Sequence, residues 1–114
     1  MVLTVIGRIT GEAKTFTPDG SEKTKLTFSV ANNDYSKKVQ GEYMDVPMFY
    51  EVSFWVKKVD YWTAKIKPGN SFACAGTNLH LNTWVKDGQA KAVLCVDLLG
   101  NPDITPKPVS DRPY

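Results

Sequence analysis

The sequence is poor in the residues that carry out chemistry. Its 114 residues include one histidine, His80, and two cysteines, Cys74 and Cys95. The cysteines fall in separate strand-like runs with no metal-ligand spacing. Carboxylates are scattered, no nucleophile is patterned with a base, and no glycine-rich run has the spacing that cradles phosphates. These absences argue against an enzyme and imply no metal or cofactor. His80, with no partner pattern, reads as an ordinary surface or strand residue. No apolar run is long enough to span a membrane, and no charged start precedes an apolar stretch. The expectation is a cytoplasmic chain with no membrane contact, its cysteines reduced and in the core. Net charge is only +2. Bulk charge therefore gives no argument for a polyanionic partner, and placement has to supply one.

Among what is present, the most informative stretch is Phe49–Lys58, Phe-Tyr-Glu-Val-Ser-Phe-Trp-Val-Lys-Lys. Side chains alternate faces along a strand. Tyr50, Val52, Phe54 and Val56 form one apolar face suited to a core. Phe49, Glu51, Ser53, Trp55 and Lys57 form the other. A face turned to water has no packing reason to hold Phe and Trp beside a lysine. A face that stacks flat aromatic ligands and neutralises phosphates does.

The remaining elements follow from the same reading. Val2–Ile9 is apolar and β-branched on both faces, interrupted by Gly7 and followed by Gly11, which suits a bulge or bend. Thr17-Pro18-Asp19-Gly20 is a turn. Lys23–Ala31 alternates, with Leu26, Phe28 and Val30 inward and Lys23, Lys25, Thr27 and Ser29 outward. Asn32–Met48 is polar and predicts a long loop. Val59–Lys67 predicts the one helix, with Val59, Trp62 and Ile66 on a single face and Pro68-Gly69 ending it. Trp62 reads as a core plug. In Ser71–Trp84, Leu79 and Leu81 are expected to point in, and His80, Asn82 and Trp84 out. Asp87-Gly88 makes a tight turn before the last strand, Ala90–Leu99. From Asn101 onward there are four prolines in fourteen residues and no period, which predicts a disordered tail.

The sum is an all-β domain over residues 1–100 with a proline-rich tail over 101–114. Five strands with one short helix between strands three and four is the order of the OB-fold, a small Greek-key barrel. In that fold the second and third strands and the adjoining hairpins form the binding face. Their outward residues here are Lys23 and Lys25, then Phe49, Trp55 and Lys57, then Trp84 with Lys86 at the last hairpin. Tyr35, Lys37 and Lys38 lie between strands two and three. The expected chemistry is base stacking on Phe49, Trp55, Trp84 and Tyr35, with phosphate contacts from Lys23, Lys25, Lys57, Lys86, Lys37 and Lys38. Each has a plainer alternative. Phe49 and Trp55 can instead face a subunit interface, Trp84 can cap the barrel, Tyr35 can pack locally, and Lys37 and Lys38 can be solvated charges.

At these residues the sequence resembles the bacterial-type single-stranded DNA-binding protein family over about residues 2–99. Val-Ile-Gly-Arg-Ile resembles the family's opening strand, and Thr-Pro-Asp-Gly followed by Leu-Thr-Phe-Ser-Val-Ala its first hairpin and second strand. Phe49 and Trp55 match its aromatic spacing. Ile66-Lys67-Pro68-Gly69, Gly76, and Trp84 before Asp87-Gly88 match later landmarks. The resemblance implies a non-enzymatic protein that coats single-stranded DNA in replication, recombination or repair. It also implies a homo-oligomer, dimer or tetramer, in a bacterial cell or the bacterial host of a phage or plasmid. Single-stranded RNA is not distinguished by stacking. Two features depart from the family. Glu51 stands where a polar or basic group is common. The tail is short, and its ending Asp111-Arg112-Pro113-Tyr114 has one acid, where the family's acidic tip recruits replication or recombination proteins. The competing reading is an OB-fold interaction module of a replication or restart complex, its aromatic face holding protein.

Overall fold

The computed structural model describes residues 2–39 and 41–106, with side chains for all of these except 33–39 and 43–47. The strands are β1 (Leu3–Ile9), β2 (Lys14–Phe16), β3 (Thr24–Val39), β4 (Glu42–Val56), β5 (Ser71–Lys86), β6 (Gln89–Leu98) and β7 (Asp103–Thr105). Helix α1 (Val59–Lys65) lies between β4 and β5. The five long strands close into a ring in the order β1-β3-β4-β6-β5, with β5 pairing back to β1. All of these pairings are antiparallel except β4–β6, which is parallel. This is the expected five-stranded OB barrel, with β2 added beside β3 and β7 beside β5.

Alternation decides what fills the barrel. Leu26, Phe28 and Val30 of β3 and Val52, Phe54 and Val56 of β4 are all buried, as their period of two requires. They meet Val5, Ile9, Phe72 and Val96 in one core. An edge-to-face series of rings runs through it: Phe72 against Phe28 at 5.5 Å, Phe28 against Phe54 at 6.2 Å, Phe54 against Trp62 at 5.2 Å. Helix α1 contributes Trp62 and Ile66, both buried, and so plugs the barrel end as its apolar stripe predicts. It stops at Lys65, two residues earlier than expected, where Asn70 Nδ2 donates to the Lys65 carbonyl at 2.8 Å. Among described strands, β1 is apolar on both faces in sequence yet buried on only one, since Ile6 is exposed.

Four expectations are corrected. The expected loop over 32–48 is replaced at its described residues: β3 to Val39 and β4 from Glu42 continue past the barrel as a paired arm, with a register shift between Asn32 and Tyr35. Asn32 Nδ2 donates to the Ile6 carbonyl where the arm departs. Leu79 and Leu81 are exposed, because the outer part of β5 leaves the barrel with β6 as a second arm. Its tip is the expected turn, with Asp87 and Gly88 both at positive φ. The proposed tail is ordered at its start, where β7 pairs with β5 and buries Ile104 in the core. Burying that side chain contributes about 1.5–3 kcal/mol, enough to hold three residues that lack any sequence period. Cys74 lies in the core, but Cys95, although buried, stands outside the core cluster.

Candidate nucleic-acid interface

The outer face of the β3–β4 ladder is built by register. Lys25 stands opposite Trp55, Thr27 opposite Ser53, Ser29 opposite Glu51, and Ala31 opposite Phe49. The Thr27 and Ser53 hydroxyls hydrogen-bond at 3.1 Å. Strand β6 continues two of these rows, placing Cys95 beside Glu51 and Asp97 beside Ser53. Strand β5 completes them with His80 across from Cys95 and Thr77 across from Asp97. Two polar rows therefore cross the face, Ser29–Glu51–Cys95–His80 and Thr27–Ser53–Asp97–Thr77. The aromatic positions of β4 flank them on either side.

Phe49 is 52% exposed and Trp55 48%. Their neighbours on the inner face of the same strand, Val52 and Phe54, are buried. Six residues of strand separate the two rings by about 20 Å, so they serve different parts of an extended ligand. Lys23 precedes β3 and Lys57 follows β4, both exposed, and both line an open groove with Trp55. Trp84 and Lys86 lie on the β5–β6 arm, with Trp84 in register with Lys91, a cation the sequence reading left out of the site. His80 and Asn82, on the same side of the arm as Trp84, line a groove of about 200 Å³ with Lys25, Thr27, Glu51 and Ser53. The arm's face is thus continuous with the barrel's. The side chains of Tyr35, Lys37 and Lys38 lie outside the described residues, as does the ending Asp111-Arg112-Pro113-Tyr114.

His80, expected to be an ordinary surface or strand residue, lies on this face. Its Nδ1 donates to the Asn78 carbonyl at 2.8 Å, since a carbonyl only accepts. Asn78, at φ 53°, also donates from Nδ2 to Asp97 Oδ2 at 3.1 Å. The signal that was available is the period: His80, Asn82 and Trp84 share one side of a strand. Glu51 and Asp97 make the floor acidic where Lys25 is the facing cation.

Cys95 is the buried member of this floor, between Glu51 and His80. Burial, then the charge of Glu51, raises its thiol above the ordinary value, with Asp97 adding to the rise and an Asn82 backbone hydrogen bond and Lys25 opposing it. Burial alone raises Cys74. Both stay protonated at neutral pH, where the thiolate is the reactive form. Iodoacetamide at neutral pH is expected to label either one on the order of tenfold more slowly than free cysteine. Fast labelling of Cys95 in the folded chain, read by mass spectrometry, would show that the groove opens.

No curated protein matches the sequence. Several solved structures share the fold. A small single-stranded DNA-binding protein from Streptomyces coelicolor is 13% identical with TM-score 0.60, the alignment covering 88% of this chain and 90% of that one. The Plasmodium falciparum SSB, solved in complex with ssDNA, is 20% identical with TM-score 0.62, covering 91% of each chain. The single-stranded DNA binding protein from Thermus aquaticus is 22% identical with TM-score 0.62, covering 92% of this chain and 49% of that one. A model of the single-strand binding protein family matches residues 2–98, most of the chain, and the protein belongs to that family.

Proposed function

We propose that this protein binds single-stranded DNA with little regard to sequence and coats it during replication, recombination or repair. One observation carries the reading: Phe49 and Trp55 are each about half exposed on a strand whose other face is buried core, with Lys25 directly opposite Trp55. Exposed rings stack bases at about 1–3 kcal/mol each, and any base offers a π-face. Lysines add a salt-sensitive attraction for phosphate. Glu51 and Asp97 on the floor repel phosphates, so the bases turn inward over the rows and the backbone follows the lysine-bearing rim. The Plasmodium falciparum SSB, solved in complex with ssDNA, has the same fold. The reading includes self-association, for which Ile6, Leu81 and Val85 leave more than half of their surface exposed.

The test is a tryptophan-fluorescence titration with oligo-dT, with duplex DNA as control. Trp62 is buried and supplies a constant background, whereas Trp55 and Trp84 are exposed and should be quenched. Salt-sensitive quenching by dT and none by duplex is the expected result. In the same assay Lys25→Ala should lower the salt slope by about 0.7, the value of one phosphate contact on a single strand. No quenching by any single strand would leave the aromatic face to a protein partner.

A further inference from the structure

Trp55 belongs to two surfaces. It ends the β3–β4 face, and it also lines an open groove of about 600 Å³ at the end of the barrel, with Lys23, Lys57, Lys58, Tyr61 and Asn101. Among the described residues no carboxylate lines this groove; Glu22 and Asp60, its acidic neighbours in sequence, are not among its walls. Three lysines therefore line it with no carboxylate among the described residues of its wall, in contrast to the acidic floor at Glu51 and Asp97. Tyr61 is 52% exposed, yet its ring is held: Lys65 Nζ lies 4.6 Å from the ring centroid, and Trp62 meets it at 5.2 Å and 87°. Trp62 is in turn braced edge-to-face against Phe54. A ring already held in place loses little freedom when a flat ligand stacks on it. A tyrosine that merely closed the barrel end would be covered, as Trp62 is.

We infer that the single strand continues past Trp55 into this groove, where Tyr61 stacks a further base and Lys58, with Lys23, neutralises its phosphates. The inference rests on the proposed DNA-binding reading and lengthens its footprint around the end of the barrel. Lys58 makes no side-chain cap to α1, so its removal spares the helix.

The experiment measures affinity across a ladder of oligo-dT lengths for the parent, Tyr61→Ala, Tyr61→Phe and Lys58→Ala, with unfolding curves to confirm the fold. Tyr61→Ala should lose about five- to a hundredfold on long oligomers and nothing on those too short to pass Trp55. Tyr61→Phe, which keeps the ring, should match the parent. Lys58→Ala should lower the salt slope by about 0.7 on long oligomers only. Parent-like binding by Tyr61→Ala at every length overturns the inference while the parent's own binding stands. Equal loss at every length also overturns it, because Tyr61 would then act by positioning Trp55. A parent that binds no single strand removes both this inference and the function on which it rests.

Discussion

Trp55→Ala is expected to weaken single-stranded DNA binding by about 1–3 kcal/mol, roughly five- to a hundredfold in Kd, and to leave the fold intact. The fold survives because the indole is half exposed and lies outside the core cluster. The inner residues on either side, Phe54 and Val56, remain buried against the barrel interior. The loss on binding should be large because Trp55 sits at the junction of the lysines, with Lys25 across the ladder and Lys23 and Lys57 in the adjoining groove. Stacking there and phosphate contact act on neighbouring nucleotides. Phe49→Ala should cost less, since the facing residue is Ala31 rather than a cation. Filter binding or the fluorescence titration checks both. Unchanged affinity in a folded Trp55→Ala chain would take the nucleic acid off this face.

Gly7→Ala is expected to destabilise the fold by about 3 kcal/mol or more, against within about 0.5 kcal/mol for Gly11→Ala. A Cβ at Gly7 would overlap the Ala31 carbonyl and press on Val30 Cγ1 at 2.8 Å. Among the described residues, Ala31 is one of two residues of β3 in register with β1, through Arg8↔Ala31 and Ile9↔Val30. The backbone that would have to move is therefore the short seam that closes the ring. Gly76→Ala meets the buried, β-branched Val96 side chain, which is stiff at χ1, with the Asp97 carbonyl at 3.2 Å behind it, and should cost nearly as much as Gly7→Ala. At Gly11 nothing lies within 4 Å. Urea unfolding midpoints would rank the three, and equal midpoints for Gly7→Ala and Gly11→Ala would show that the seam can open freely.

The alternation of Leu26, Phe28 and Val30, and of Val52, Phe54 and Val56, is legible in sequence because one face of each strand is dry and the other wet. The same contrast marks Trp62 and Ile66 as one side of a plugging helix. Where the contrast vanishes, so does the signal. Beyond Asn32 the β3–β4 arm is mostly polar in sequence, so the period of two has little to report. The pairing nevertheless resumes beyond the register shift, from Tyr35↔Val46 to Val39↔Glu42, because each strand offers the other's backbone its hydrogen bonds. Leu79 and Leu81 mislead because the first half of β5 is core, and its apolar spelling runs on into an arm with no interior. Ile104 errs in the opposite direction, a single apolar residue among prolines that finds the core through three residues of strand.

By itself, the sequence determined which residues of β3 and β4 face into the barrel, where the helix falls, the order of the five long strands, and that Phe49, Trp55 and Lys25 point outward. Each of these is a local property, set by a dihedral preference or by the face of one strand. Only the tertiary structure decided which outward residues are neighbours. Glu51 lies in one row with Cys95 and His80 because β4 and β6 run parallel and β5 pairs antiparallel with the far side of β6. Trp55 shares a groove with Tyr61 because the helix docks across the barrel's end. Ring closure sets those registers, and closure depends on contacts between strands far apart in sequence, which no local pattern encodes.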